Sequence, residues 1–271
     1  MSDSDVFNLD DEVTEPKILI ACECYGHPDD VRDALSGLPD FGKLDWGAPC
    51  TPAPFKLIDA ELVLILSDKA SLLMAIGRSV LYQRAGRAHV LIYLQDETED
   101  VPAEVIPALV LLRSQLAAGL LNLTQIILEP VITPGFVGID WGDVRNILNM
   151  GGQVVMERAS STGQPEEAIK RAVSQLQART AGCAIHGLQA AIISNGKMPM
   201  KSISDLSWAC RDNLRFPDKD SVGYDTYFIV AAPLLDWLDD DYEVRLFAKI
   251  ECTNVHWPSD LILDFSDGLG A

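Results

Sequence analysis

Three short apolar runs limit what this chain can fold into. Lys17 to Cys22 reads KILIAC, Glu61 to Leu66 reads ELVLIL, and Ala88 to Leu94 reads AHVLIYL. Each is strand length and apolar almost throughout, which is the pattern of a strand buried on both faces. Helix candidates alternate with them. Pro28 with Asp29 and Asp30 opens one through Leu35, and Ala70 to Arg84 forms another, stopped by Gly86. Cys24 to Pro28 and the Gly- and Pro-rich stretch from Gly37 to Pro54 read as turns and loop. Strand and helix in this rhythm predict a parallel sheet covered by helices, an α/β fold.

With 271 residues, 48% of them hydrophobic, the chain can bury the cores of two modest units. Forty acidic residues against 21 basic ones give a net charge of −19. Such a body repels nucleic acid and anionic membrane, which excludes both as expected partners. Residues 1–16 are acidic and read as a disordered tail, not a signal peptide. No apolar run reaches the ~18 residues of a membrane span, so membrane insertion is not expected. Six scattered cysteines in a chain this long do not make a disulfide framework, and their scatter suits a reducing compartment, the cytoplasm.

From about Pro102 to Ile132 the sequence is nearly all apolar and predicts one long helix, with Pro107 and Pro130 marking a late start or early bend. Leu109 to Leu112, Leu116, Leu120, Leu121, Leu123 and Ile126 to Leu128 leave no polar side, so the helix is expected to be buried all round, between two units. Arg113 and Glu129 argue against a membrane setting. Next comes TPGFVGIDWGDVRNILNMGG, Thr133 to Gly152. It offers a Pro-Gly turn, Asp140 and Asp143 at i and i+3, then Trp141, Val144 and Leu148 at helical spacing, with Gly151-Gly152 as a stop. Further on, Pro165, Glu166 and Glu167 open a helix carrying Ile169, Ala172, Val173 and Leu176, ended by Gly182. Leu188 to Ser194 reads as a strand. Ser202 and Asp205 have capping-box spacing before Ile203, Leu206, Cys210 and Leu214. Thr226 to Ala232 and Tyr242 to Ile250 read as strands, the latter with Tyr242, Val244, Leu246, Ala248 and Ile250 on one face.

From Leu109 to about Lys249 the chain resembles FtsZ, the bacterial tubulin homologue, and hence the tubulin/FtsZ superfamily. Pro134-Gly135 followed by Asp140-Trp141-Gly142-Asp143-Val144-Arg145 is similar to that family's synergy loop, with Gly138 where the family has Asn. Gly151-Gly152, Ser161, Gly163, Glu167, Ala168, Ala172, the run AAIISNG from Ala190 to Gly196 and DDDYEVRLFA from Asp239 to Ala248 follow in the family's order. The resemblance implies a nucleotide-binding-type parallel α/β domain over 17–107, a central helix and synergy-type loop over 108–150, a smaller C-terminal α/β domain over 151–250 and a tail over 251–271. It also implies head-to-tail assembly driven by GTP.

Where nucleotide binds in that family, this chain departs from it. The family's glycine-rich phosphate loop lets backbone N–H groups approach phosphate. The matching stretch here is Leu66-Ser67-Asp68-Lys69-Ala70-Ser71-Leu72, without glycine and with Asp68 opposing phosphate by like charge. The first strand runs into Ala21-Cys22-Glu23-Cys24-Tyr25-Gly26. The acidic position that reads guanine falls at Ala117 or Ala118, which cannot make paired hydrogen bonds. The expectation is a pseudo-GTPase without cofactor, metal or catalytic residues, which contacts an FtsZ-type protein or itself through Asp140 and Asp143. Two alternatives stand beside it: a GTPase with an atypical phosphate loop, and a scaffold unrelated to polymerisation.

The other side chains of interest have plainer readings. Asp140 and Asp143 can simply cap a helix. Cys22, Cys24 and His27 could ligate metal, but C-x-C with one His lacks paired zinc spacing, and buried thiols are the simpler reading. Lys69 and Ser71 could hold an anion at a helix start, although a loop lysine needs no ligand. His89 reads as a satisfied core histidine, and the aspartates at 239–241 as a solvated turn.

Overall fold

A computed structural model describes residues 17–40, 43–50, 57–96, 109–150, 152–196, 198–217, 226–236, 238 and 241–252. The N-terminal tail, residues 253–271 of the predicted C-terminal tail and the acidic loop after Asp96 lie outside them, while Glu251 and Cys252, expected in that tail, end a strand. The first unit is a parallel sheet in the order β2-β1-β3-β4-β5. Its strands are β1 (Ile18–Tyr25), β2 (Leu44–Trp46), β3 (Leu62–Ser67), β4 (His89–Gln95) and β5 (Leu109–Leu112). The three apolar runs become β1, β3 and β4 as predicted. Helix α1 (Pro28–Ser36) covers one face, where Ile20, Cys22, Leu64 and Ile92 join the main core. Helix α2 (Leu72–Arg84) covers the other, over Ala21, Val63, Ile65 and Tyr93. A buried ion pair ties α2 to β1. Arg78 donates to Glu23 at 2.6 and 2.8 Å, and the Tyr82 hydroxyl adds a third bond at 2.6 Å.

The predicted long helix is shorter than its apolar run. Leu109 to Leu112 extends the sheet beside β4, Ile92 opposite Leu109 through Gln95 opposite Leu112. A tight 3-10 turn over Arg113–Gln115 follows, and only then α3 (Leu116–Ile127), with a short α4 (Glu129–Ile132) after it. The cause is the open edge of β4. A four-residue apolar run cannot be assigned to helix or strand by periodicity, and an unpaired strand edge decides the matter. Nor is α3 buried all round. Leu116, Leu120, Leu123, Ile126 and Ile127 are buried, while Ala117 and Ala118 face solvent. Its buried side lies between the two sheets, against α1 and β5 on one flank and the second sheet on the other.

The second sheet is mixed, in the order β6-β9-β8-β10-β7. Its strands are β6 (Gly135–Val137), β7 (Gln153–Ser161), β8 (Cys183–Ser194), β9 (Tyr227–Pro233) and β10 (Tyr242–Cys252). Two of them correct the sequence reading. Pro134-Gly135 begins an edge strand instead of a turn. A Cβ on Gly135 would sit 2.1 Å from the Ala232 carbonyl oxygen, so glycine is what lets β6 approach β9. β7 was not anticipated at all. Helices α6 (Pro165–Arg179) and α7 (Met200–Asn213) cover the outer face, where Val244, Leu246, Ala248 and Ile250 are buried together. Ser202 and Asp205 do not cap α7. The helix starts at Met200 after extended Pro199, Ser202 is buried within it, and Asp205 pairs with Lys201 at 3.7 Å. Among the described residues Cys22, Cys24, Cys50 and Cys210 are free, and Cys183 is disulfide-bonded.

The inner face of β10 carries Glu243, Arg245, Phe247 and Lys249, all buried. Arg245 donates to the Gln125 carbonyl at 2.8 Å and pairs with Glu129 and Glu243. Gln189 of β8 donates to the Ile126 carbonyl at 2.9 Å. The second sheet thus satisfies carbonyls at the C-terminal end of α3, which have no partner within the helix. Lys249 is 4% exposed and has no carboxylate partner among the described residues, and burial pushes its pKa down to about 8. Its charge also helps burial push His89 down to about 4. The His89 ring is satisfied as predicted: Nδ1 donates to the Arg87 carbonyl at 2.9 Å and Nε2 accepts from the Ser79 hydroxyl at 2.8 Å.

Two stability predictions follow from this packing. Leu120→Asp places an unpaired carboxylate at a fully buried position and is expected to cost several kcal/mol, read as loss of soluble protein or a large fall in denaturation midpoint. Lys249→Met should instead raise stability. The folded pKa lies below the ordinary value of 10.5, so the unfolded chain binds the extra proton, and stability falls as pH drops from 10.5 to 8. The penalty, complete below pH 8, is about 3 kcal/mol. The variant is expected to unfold at a higher temperature at pH 7 and to lose that slope between pH 8 and 10.5.

Candidate functional site

In an open parallel sheet, ligands bind beyond the C-terminal ends of the strands, where the strand order reverses direction. The order here puts that switch point between β1 and β3. His27 follows β1, Asp68 follows β3, Asp96 follows β4 and Arg113 follows β5. These four residues, with Asp30 from the first turn of α1, form one charged cluster. Arg113 donates to Asp30 at 2.8 Å, to Asp96 at 3.4 Å and to His27 Nδ1 at 2.5 Å. Because a guanidinium has no lone pair to offer, Nδ1 is the acceptor and the ring proton sits on Nε2. That nitrogen faces Asp68 Oδ2 at 3.6 Å. His27 holds a left-handed backbone, φ 51°, with Pro28 fixing the first residue of α1 behind it.

Asp68 fills the place where an anion would be held. Its Oδ1 accepts the Ser71 N–H at 2.9 Å, at the start of α2, where unpaired amides and the helix dipole favour negative charge. Ser71 itself makes no side-chain cap, and Lys69 is exposed. The Asp68 carboxylate also packs over Gly26, where an added Cβ would lie 2.4 Å from Oδ2. Gly26 has φ 91°, so the turn after β1 needs glycine both for its backbone and for room. Ala117 and Ala118 lie in the first turn of α3, just past the cluster. Cys22 and Cys24 are buried in the core below it, with burial pushing Cys24 up to about 12, and they do not meet His27. No group of side chains among the described residues could hold a metal ion. Arg113 was missed by sequence reasoning because the misassigned helix hid it. A strand ending at Leu112 would have marked it as the first residue beyond the sheet.

Asp140 and Asp143 lie at the other end of the first sheet, at the start of α5 (Trp141–Leu148). The 12 residues of α3 span about 18 Å between the two places. Beside α5, Trp141 and Arg145 line a cleft of about 350 Å³ with Leu19, Glu61 and Ala88, residues at or next to the N-terminal ends of β1, β3 and β4. The aspartates form a reciprocal capping box: Asp140 Oδ1 accepts the Asp143 N–H at 2.9 Å, and Asp143 Oδ2 accepts the Asp140 N–H at 3.2 Å. The capping reading is therefore correct, and it engages one oxygen of each carboxylate. Exposed Phe136 stands four residues before Asp140, and Asp241, the described member of the aspartate run, accepts the Gly163 N–H at 2.7 Å.

No family model matches the sequence, and no curated protein sequence matches it. Solved structures do. An empty FtsZ dimer from M. jannaschii superposes with a TM-score of 0.60 at 12% identity, over 92% of this chain and 95% of that one. A tryptophan-to-tyrosine variant of FtsZ from the same organism gives 0.57 at 14% identity, over 86% and 91%. The likeness runs through both units, including the first, where the sequence resemblance was weakest. The chain is FtsZ-like in fold, with two α/β units set about α3.

Proposed function

We propose that this protein is an FtsZ-like pseudo-GTPase that acts by contact, binding or modulating FtsZ-type filaments or associating with itself. One observation carries the reading: the Asp68 carboxylate occupies the start of α2 at the switch point of the sheet. A phosphate brought there meets a like charge and finds the Ser71 amide already engaged. The nearby cation Arg113 is turned toward Asp30 and Asp96, and His27 Nε2 faces Asp68. A nucleotide would have to break this cluster before gaining any contact. Thermal unfolding with millimolar GTP and Mg²⁺ is expected to show no upward shift. A ligand at ~100 times its Kd adds about 2.7 kcal/mol, so a rise of several degrees would overturn the reading in favour of a GTPase with an atypical loop.

The opposite end supports the contact role. Capping leaves Asp140 Oδ2 and Asp143 Oδ1 available as acceptors on an accessible helix start. In a head-to-tail pair of such molecules, these carboxylates would meet the neighbour's switch point. Two copies of this chain bring carboxylate against carboxylate, Asp140 and Asp143 facing Asp68, Asp30 and Asp96. An FtsZ subunit carrying nucleotide and cation offers the loop a better partner, and this chain would then present no nucleotide for a further subunit. The predicted action is therefore that of a cap on one filament end. Substoichiometric amounts should reduce FtsZ polymerisation, followed by light scattering. The double variant Asp140→Ala, Asp143→Ala should lose the effect while remaining folded, at a capping cost of ~1 kcal/mol for each residue. No effect of the unaltered protein, or an equal effect of a folded double variant, would sink the proposal.

A further inference from the structure

One edge of the second sheet is open. β9 pairs on one side with β8, from Tyr227 beside Gly187 to Ala231 beside Ala191. On its other side β6 meets only Ala232 and Pro233. From Tyr227 to Ala231 no described residue pairs with that edge. Strand edges are ordinarily blunted by lysine, proline or a bulge. This one reads Tyr-Phe-Ile-Val-Ala, with neither charge nor proline. Alternate residues turn their N–H and C=O groups away from β8, and another strand is what satisfies such a row.

The side chains beside the edge are equally unprotected. Tyr227 and Ile229 lie on the inner face, where the Tyr227 hydroxyl accepts from Asn146 at 3.3 Å and Ile229 packs on the main core. Phe228 and Val230 lie on the outer face with α7. There Ile203, Ser204, Ser207, Trp208 and Arg211 of α7 enclose, with Val230, a groove of about 400 Å³. Trp208 is 64% exposed, and Met200, two turns earlier, 62%. Arg211 lies over Phe228, its Cζ 5.5 Å from the ring centre. It is the only charged residue lining the groove, so no carboxylate stands there in a chain of net charge −19.

We propose that two copies of the chain associate through this edge, β9 against β9 in antiparallel register about a two-fold axis. A two-fold contact must be self-complementary. The register that uses all five open residues centres on Ile229. It sets Ile229 opposite its own copy, Phe228 opposite Val230 and Tyr227 opposite Ala231, apolar cross-strand pairs throughout. Pairing then stops at Ala231, short of β6, and displaces nothing. Along α7, Arg211 stands at Phe228 and Trp208 at Val230. Because Phe228 faces Val230 of the second copy, each Arg211 comes level with the other copy's Trp208. A guanidinium beside an exposed indole is an attractive cation–π pair, and the two-fold makes it twice. Trp208, Tyr227 and Met200 expose on the order of 300 Å² of side chain, a substantial share of the ~800 Å² per partner of a standard interface. The contact uses neither Asp68 nor Asp140 and Asp143, so it stands or falls apart from the pseudo-GTPase reading.

The test is sedimentation of the full chain from low to high micromolar concentration. The unaltered protein should pass from one chain mass to two. Trp208→Lys, at an exposed helix position, sets a like charge against the second copy's Arg211 and should weaken dimerisation at least tenfold without moving the melting temperature of the monomer. Under mild oxidation Ile229→Cys should link into dimers faster than the unaltered protein or Tyr227→Cys, because the register holds the two residues 227 about 13 Å apart along the strands. Should Ile229→Cys not fold, the unaltered protein carries the same test: hydrogen exchange at the Tyr227–Ala231 amides should slow as concentration rises. A chain that stays monomeric throughout overturns the proposal and leaves the edge to a strand of a different protein. A dimer indifferent to Trp208→Lys, no preferential link through position 229 in a folded variant, or exchange at the edge that ignores concentration overturns it in favour of another surface.

Discussion

The capping of α3 by the second sheet is the contact on which the two-unit arrangement depends. Helix C-termini leave carbonyls unpaired, and here the Gln125 and Ile126 carbonyls are met by Arg245 and Gln189 across the interface. A cation at that end also suits the helix dipole. Burying Arg245 alone would be costly, so Glu129 and Glu243 compensate its charge, and Arg158, opposite Arg245 on β7, bonds Glu243 at 2.6 Å. The network is directional where an apolar contact would not be. It fixes which part of β10 meets which turn of α3, and through α3 it fixes the distance between the switch point and the Asp140–Asp143 loop.

That interface also explains which parts of the fold were legible in the sequence. β1, β3 and β4 were, because strands buried on both faces leave continuous apolar runs. α6 was, because Pro165, Glu166 and Glu167 mark its start and Ile169 to Leu176 its buried stripe. β10 was legible as a strand but its inner face was not. YEVRLFAKI alternates apolar with charged residues, a pattern that normally means one wet face. Here the charged face is the interface with α3, and Glu243, Arg245 and Lys249 are buried on it. Nothing in a period-two pattern distinguishes a charged face turned to water from one turned to a helix end. Leu109 to Leu112 failed for a related reason: its state was decided by the free edge of β4, a partner distant in sequence.

The candidate site was legible by what it lacks. The absence of glycine between Leu66 and Leu72 and the presence of Asp68 set this loop apart in the sequence, and the structure shows what Asp68 does there. Asp68 supplies the negative charge that the start of α2 favours, so the helix needs no ligand to satisfy it. What the sequence could not give was the pairing of His27, Asp30, Asp96 and Arg113 around it, since these follow three different strands, β1, β4 and β5, and meet only because those strands run parallel in one sheet.

The switch point and the synergy-type loop rest on the same physics with opposite consequences. At each, an aspartate accepts a backbone N–H at a helix start: Asp68 from Ser71, Asp140 from Asp143. At the switch point the second oxygen is turned inward to His27 and over Gly26, so the carboxylate is consumed by its own fold. At the loop the second oxygens of Asp140 and Asp143 keep their acceptor capacity. A single motif thus engages the carboxylate fully at one end of the molecule and leaves one oxygen of each aspartate unengaged at the other. Under the proposed contact role, a molecule so arranged would complete a neighbour's cation or donor site without having its own completed in return. That asymmetry, carried by three aspartates, is the physical ground for expecting it to end a chain of subunits instead of extending one.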